Sequence, residues 1–370
     1  MPLLNRLAEY LQQARRVNTK HGLSPIRQLF EIVRLTRSPG QIGPGDYYSY
    51  RLFDPMLSHI DKEQFVGWKV EPRLDALNDR SWHCLGLDKV LMYTLFQHAG
   101  IRVPQTQAIY LSGRTRPLAG SIALNSPAAL HAWLRNPDNY PFFSKPSASG
   151  FGRGAFLADA YDAMNDCILL REGTRIQVIE FEKQFHDIER LGYLFQTPIQ
   201  ADSRLVDSIG KTVSSLRMIV LCDEHEGPVL HRCFWKLPTG NNSHDNYNGG
   251  KTGNLAAAID HDTGRVTRVI NGTGLDLVEI ERHPDTGVNF ATLAVPNWQK
   301  VCQFTFDAAL TLPKLRFQQW DIALSNDGPL ALEVNLFGTG GCDLTQLLYR
   351  KGLLDDTMRA FLARHSISIN

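Results

Sequence analysis

Two acids and an amide, Asp321, Glu333 and Asn335, carry the clearest chemical signal in the chain. They lie in FQQWDIALSNDGPLALEVNL, Phe317–Leu336, whose two arms alternate around an Asn326-Asp327-Gly328 turn. Period-2 alternation about such a turn predicts a β-hairpin. Trp320, Ile322 and Leu324 then answer Leu330, Leu332, Val334 and Leu336 on one apolar face. With the turn centred on Asp327, Asp321 and Glu333 stand directly opposite each other on the second face, and Asn335 joins them two residues on. Like charges across a ladder repel, so the pair needs a neutralising partner. Three oxygen-bearing side chains on one rigid face suit a hard cation such as Mg2+, which is commonly shared with substrate phosphates. The bland alternative is a solvated face with two chance acids.

Residues suited to phosphate lie upstream. In PFFSKPSASGFGRGAFLA (141–158) an apolar strand delivers Lys145, and a turn with Gly150, Gly152 and Gly154 precedes a second strand. Glycines let backbone N–H groups approach an anion, and a lysine at the loop's base adds charge. The loop lacks the GK[ST] of a Walker A motif, and a strand rather than a helix follows it, which excludes a dinucleotide fingerprint. A flexible hairpin tip is the alternative. Asp88-Lys89 opens a helix predicted over Leu87–Gly100 with Leu91, Leu95 and Phe96 inward; alone, Lys89 reads first as a surface lysine. Arg217 sits among apolar neighbours in VSSLRMIVL (213–221), and VLHRCFWKL (229–237) repeats the idea with Arg232 and Lys236. Such charges are rarely left unpaired, so they meet carboxylates of the fold or an anionic ligand. YLFQTPI (193–199) reads as a buried strand whose end could offer backbone groups to a nucleobase. KLPTGNNSHDNYNGGKTGN, Lys236–Asn254, has almost no apolar content and is either disordered or a functional loop; His244, Asp245 and Asn246 on it could meet an acceptor.

The elements that must hold these groups fit a chain of 370 residues, long enough for two or three domains or lobes. A hydrophobic content of 43% with 21% charged residues describes an ordinary globular protein. The net charge of +1 gives no global case for nucleic-acid binding. Six cysteines without CxxC spacing argue against a zinc site or a disulfide framework and fit a reducing compartment. No stretch approaches a membrane span and the start lacks a signal-peptide layout, so the cytoplasm is the expected location.

Residues 1–45 form a basic helical arm and linker: the first 40 carry seven Lys/Arg against two Glu, with Leu3, Leu4, Leu7 and Leu11 at helical spacing and a second helix over Pro25–Arg37. Such an arm could rest on a membrane surface or a partner, or pack across its own protein. Residues 46–120 lead in through short, mainly helical pieces. Two lobes are expected over 121–200 and 201–350, and a C-terminal helix over 351–370. Within them RIQVIEF (175–181) is predicted as a strand, FEKQFHDIERLG (181–192) as a helix, LAAAID-HDTG-RVTRVI (255–270) as a hairpin and Pro296–Leu312 as a helix.

Together these motifs resemble the ATP-grasp superfamily, and more closely its sugar-transfer-associated group. LDKVLMYTLFQHAGI, FFSKPSASGFGRG, LFQTPIQADSRL, TVSSLRMIV, DNYNGGKTGN, DHDTGRV and WDIALSNDGPLALEVN carry the likeness over residues 45–350. A more distant likeness is to tubulin–tyrosine-ligase-type enzymes. The resemblance implies an α+β, ATP-grasp fold in which two α+β lobes sandwich ATP, with a helical N-terminal extension. It implies that Lys89 and Lys145 contact the α- and β-phosphates and that Ser149, Gly150, Gly152 and Gly154 close over them. Phe195–Ile199 would be the hinge beside adenine, lined by Gln196 and Ile199. Asp202 would meet the ribose, where relatives often have histidine. Asp321, Glu333 and Asn335 would hold one or two Mg2+.

The activity implied is phosphorylation of a small-molecule carboxylate by ATP, followed by displacement of phosphate from the acyl phosphate by an amine or hydroxyl acceptor. Arg217 would stabilise the γ-phosphate, while Arg232 and Lys236 would orient the carboxylate or serve as structural ion pairs. The group's name points to surface-polysaccharide or sugar-conjugate synthesis. The same scaffold would serve a small-molecule kinase or a non-catalytic nucleotide-binding module, although a scaffold has no need of a repulsive Asp321–Glu333 pair.

Overall fold

The computed structural model describes residues 3–111, 118–148, 154–186, 192–336 and 341–369. Ser149, Gly150 and Gly152 of the glycine loop lie outside these residues. The described strands form two seven-stranded sheets. The first contains β1 (Thr106–Tyr110), β2 (Ile122–Leu124), β3 (Phe142–Pro146), β4 (Phe156–Asp162), β5 (Cys167–Leu170), β6 (Arg175–Gln177) and β7 (Tyr193–Gln196), in the order β2-β1-β7-β3-β4-β5-β6. It therefore draws β1 from before residue 121, because β1 pairs with both β2 and β7. Its core is aromatic: Trp133 of the helix Pro127–Leu134 meets Phe195 at 4.6 Å and Phe142 at 5.1 Å between ring centroids.

The segment expected as a strand over 175–181 is strand only to Gln177; Val178–His186 is a helix. Its β-branched start suggests a strand, but Val178 and Phe181, one helical turn apart, both bury against the first sheet, and tertiary packing outweighs propensity.

The second sheet comprises β8 (Ser215–Asp223), β9 (Gly227–Leu237), β10 (Leu255–Ile259), β11 (Val266–Asn271), β12 (Val278–Glu279), β13 (Phe317–Ser325) and β14 (Gly328–Asn335), ordered β12-β11-β10-β9-β8-β13-β14 with every pair antiparallel. Period-2 alternation divides β8. Leu216, Met218 and Val220 enter the main core with the helix Trp298–Leu310. On the other face, Ile219 and Leu221 pack on the C-terminal helix Asp356–Arg364, while Ser215 and Arg217 look into a cleft. The helix Lys89–His98 starts at Asp88, whose carboxylate accepts the N–H groups of Val90 and Leu91. It turns Met92, Tyr93 and Phe96 inward; Leu91, expected inward, is exposed.

Helices α1 (Leu3–His21) and α2 (Pro25–Thr36) form the N-terminal extension, and their inner residues Ala14, Val17, Ile32 and Leu35 pack on Tyr47, Tyr48 and Phe53. A seam joins this region to the C-terminal part. Gln346, fully buried, accepts the N–H of Val66 at 2.7 Å and donates to its carbonyl at 3.1 Å, and the N–H of Leu354 donates to Gln64 O at 2.9 Å. Gly352 lies so close to this segment that an added Cβ would stand 2.1 Å from the carbonyl carbon of Gln64. Gly352→Ala is thus expected to destabilise by about 1–3 kcal/mol or more, since backbone cannot yield as a side-chain tip can. Urea denaturation beside Gly22→Ala, where the Cβ meets nothing within 4 Å and only the positive φ of 69° opposes it, checks this: Gly352→Ala should be the more damaging.

Candidate active site

The hairpin opposes the two acids as expected, although its turn sets Ser325 against Gly328, centred between Asn326 and Asp327 rather than on Asp327, and a register shift restores the pairing. Asp321 pairs with Glu333 across β13–β14, and Arg217 of β8 pairs with Asp321 from the other side. Arg217, Asp321 and Glu333 thus form one row across three neighbouring strands, spaced by the ~4.8 Å between strands. The neutralising partner of the two acids is therefore built into the sheet. Arg217 Nε donates to Asp321 Oδ1 at 2.5 Å and its Nη2 donates to Oδ2 at 3.0 Å, a bidentate pair. Lys236 Nζ stands 3.2 Å from the same Oδ1, and Lys89 Nζ stands 3.2 Å from Glu333 Oε2. Burial pushes the Asp321 carboxyl upward, but Arg217 and Lys236 outweigh it and hold the group well below the usual carboxylate range.

The simple alternation fails at one point. The register shifts between Asp321 and Ile322, so that Ile322 faces Ala331 and Leu332 is an extra, bulged residue. Ala331 takes the core position expected for Leu332, and Leu332 turns to the cleft beside Glu333 and Asn335.

The cleft encloses about 680 Å³ between the two sheets. Lys89, Lys145, Gln196, Ile199, Arg217, Lys236, Asp321, Glu333 and Asn335 all line it, so these nine expected site residues converge. Lys145 arrives on β3 and donates to Tyr93 Oη at 2.9 Å; Tyr93 Oη in turn donates to Leu332 O at 2.8 Å. Burial pushes the Lys145 ammonium down to about 8, although Glu333 and Asp321 pull it back up. Gln196 ends β7, and Thr197, Pro198 and Ile199 continue along the wall. Gly154, with φ 71°, receives the hydroxyl of Tyr193 on its carbonyl.

The polar loop lines the cleft through His244, Asp245 and Asn246. Fully buried Asn254 holds it from behind, donating to His244 O at 2.9 Å and Asn246 O at 3.0 Å. Ser215 Oγ donates to Asp245 Oδ2 at 2.6 Å, and burial raises the Asp245 carboxyl against the pull of Lys236. Ser215 and Tyr93 are functional candidates that the motifs alone do not flag. Stepping two residues back from Arg217 would have found Ser215, because both lie on one face of β8.

Two expected residues lie elsewhere. Arg232 shares the Lys236 face of β9 but sits four residues, roughly 13 Å, farther along. There the C-terminal region covers the sheet, and Arg232 Nη2 is buried 2.6 Å from Asp355 Oδ2. Asp202 caps the helix Ser203–Ile209 and pairs with Arg204 at 2.6 Å; it is not among the residues lining the cleft.

No group of three or more His, Cys, Asp or Glu able to hold a metal occurs among the described residues. Asn335 lines the same cleft as Asp321 and Glu333. Removing Asp321 would leave Arg217 and Lys236 facing each other without their shared counter-charge. Asp321→Ala is therefore expected to cost about 3–5 kcal/mol of stability, the scale for breaking a buried ion pair from one side. Chemical denaturation checks this, with Asp202→Ala, whose Arg204 partner is solvated, expected to cost far less.

Residues 74–360 match the sugar-transfer associated ATP-grasp family. No curated protein matches the chain. Biotin carboxylase from Campylobacter jejuni, solved as a β,γ-ATP complex, is 11% identical over 77% of this chain and 46% of its own, with a TM-score of 0.44. The D-alanine–D-alanine ligase from Coxiella burnetii is 13% identical over 76% of this chain and 58% of its own, with a TM-score of 0.40. For D-alanyl-alanine synthetase A from Vibrio cholerae the values are 10%, 77%, 66% and 0.43. The chain spans about half the length of the first of these structures. The two α+β lobes and helical extension are the ATP-grasp fold expected from the motifs, and the chain belongs to the sugar-transfer-associated ATP-grasp family.

Proposed function

We propose that this protein is an ATP- and Mg2+-dependent ligase that activates a small-molecule carboxylate as an acyl phosphate and passes it to an amine or hydroxyl acceptor. The observation that carries this reading is the convergence of Lys89, Lys145, Arg217 and Lys236 with Asp321, Glu333 and Asn335 on one cleft. Four cations gathered there suit a polyanion, and each acid already stands beside a cation that a phosphate could recruit. The family's name supports a substrate from surface-polysaccharide or sugar-conjugate synthesis.

In this reading the end of β7, Gln196 to Ile199, lies along the adenine. Lys89 and Lys145 hold the α- and β-phosphates, with Gly154 at the described end of the glycine loop. Asp321, Glu333 and Asn335 offer hard oxygen donors of the kind Mg2+ takes and would hold the ion. Bound there, the ion would offset charge on the transferred phosphoryl group. Arg217 leaves part of its bond to Asp321 for the γ-phosphate, and Lys236 orients the carboxylate. A carboxylate oxygen attacks the γ-phosphorus, the bond to the bridging oxygen breaks and ADP departs. The acceptor then attacks the acyl carbon and phosphate leaves. Asp245, oriented by Ser215 and raised by burial, is placed to take the acceptor's proton.

Incubation with ATP, Mg2+ and pooled carboxylates, with hydroxylamine as a general acceptor, tests the reading. ADP, free phosphate and a hydroxamate are expected together, whereas a stable phosphate ester in place of free phosphate would assign a kinase. Glu333→Ala should lower turnover by at least ~100-fold; ATP bound without turnover, with no further change in that variant, would assign a non-catalytic module.

The Lys145 ammonium gives a pH signature. Phosphate binds its protonated form, and in the free protein that form is lost as pH rises through about 8. ATP affinity is therefore expected to be full below that value and to fall above it. Lys145→Arg, which stays charged, should flatten the dependence, as read by nucleotide titration across pH.

A further inference from the structure

Helix α2 breaks the rule that a helix apolar around most of its circumference is buried. Its inner face, Gln28, Ile32 and Leu35, is covered. Its outer face is nearly as apolar: Ile26, Leu29, Phe30 and Val33 recur at i, i+3, i+4 and i+7 and are 69%, 61%, 72% and 40% exposed. Leu7 and Leu11, one turn apart on α1, are exposed as well. So are Met56 and Ile60, on the segment tied to α2 by Lys62–Glu31 at 2.6 Å and Arg34–Glu63 at 2.7 Å. Of the 17 large apolar side chains exposed among the described residues, these eight fall in the first 60 positions. An apolar stripe so concentrated marks an interaction surface rather than scattered surface residues.

Charge indicates the occupant. Seven Lys/Arg against two Glu leave +5 on residues 1–40, so the remaining residues carry −4 of the chain's +1. One of those two acids, Glu31, faces inward to Lys62 and to the hydroxyl of Tyr47 at 2.5 Å. Arg6, Arg15, Lys20, Arg27 and Arg37 are exposed and make no ion pair among the described residues. A second copy of the chain pairing through this face would set basic arm against basic arm. An anionic lipid surface offers both what the stripe lacks, an apolar layer, and what the arginines lack, a counter-charge. No helix among the described residues is long and apolar enough to cross a bilayer. The stripe spans one helix of 12 residues, roughly 18 Å, which suits lying in the plane of the surface.

We propose that the outer face of α1 and α2 is a docking surface for anionic phospholipid membranes, with Ile26, Leu29, Phe30 and Val33 entering the headgroup boundary and the arm's free basic residues facing the phosphates. It needs no nucleotide and is independent of the ligase reading.

Co-sedimentation of the full-length protein with vesicles of phosphatidylcholine alone, or mixed with phosphatidylglycerol, tests it. Binding is expected only to the mixed vesicles and should weaken as salt screens the charges. Leu29→Glu with Phe30→Glu should lower the bound fraction at least ~10-fold, because both side chains would carry charge into the boundary. Arg15→Ala with Arg27→Ala, which spares the apolar stripe, should also weaken binding to the mixed vesicles. No binding to the mixed vesicles, equal binding to both kinds, or indifference to both double variants would overturn the proposal. So would analytical ultracentrifugation showing a dimer that Leu29→Glu with Phe30→Glu dissolves, since the face would then be a self-interface.

Discussion

The ion pair between Arg217 and Asp321 is the constraint around which the cleft is arranged. A carboxylate as enclosed as Asp321 would be driven to its neutral form by burial alone. It stays ionised because an arginine occupies the adjacent strand in the same row and a lysine on the next strand reaches the same oxygen. The opposing row partner, Glu333, is acidic too, and its charge is met from a different direction by Lys89. Five charged groups therefore sit in a network in which moving any one leaves another uncompensated. Such a network is poor at adding net stability but well suited to exchanging partners when a polyanion and a cation arrive together.

That network needs one face of the second sheet to stay open at one end and closed at the other. β8 and β9 run the length of this boundary. Toward one end Ser215, Arg217 and Lys236 look into the cleft; toward the other Ile219, Leu221 and Arg232 lie under the C-terminal region. Arg232 and Lys236 have similar local sequence surroundings and point the same way from the same strand. Their separation along the strand, not their chemistry, assigns one to Asp355 and the other to Asp321.

Much of this is legible in the residues alone. Alternation suffices for the hairpin itself and spacing for most strands and for α1 and α2, while the expected opposition of Asp321 and Glu333 is reached through a tighter turn, Ser325 opposite Gly328, and a compensating bulge. Three features are not legible, each for a physical reason. A strand's period says which face Arg232 occupies but not where another element will cover that face. Val178 and Ile179 favour a strand by propensity, whereas the helix that forms buries Val178 and Phe181 together, a gain visible only once the first sheet exists. The bulge at Leu332 carries no Gly or Pro to announce it, so strict alternation sends Leu332 to the wrong face.

That bulge joins the two lobes. β14 is the edge strand of its sheet, and the outward backbone groups at and beside the unpaired Leu332 find partners across the fold. The neighbouring Ala331 N–H donates to Arg102 O at 3.0 Å, and Leu332 O accepts from Tyr93 Oη at 2.8 Å. Tyr93 Oη is also the acceptor for Lys145 Nζ. A continuous path thus runs from β3 of the first sheet, through a tyrosine on the helix Lys89–His98, to the backbone of β14 one residue from Glu333. Lys89, at the start of the same helix, ties it to Glu333 directly and to Ser147 O through its backbone N–H at 3.0 Å. The phosphate-side lysines and the acid-bearing hairpin are consequently held by one helix, and a shift of either sheet would be felt at both. Continued from Ser325 opposite Gly328 without the extra residue, the ladder would set Asp321 against Leu332 rather than Glu333, so the irregular residue both opposes the acids and relates the two halves of the cleft.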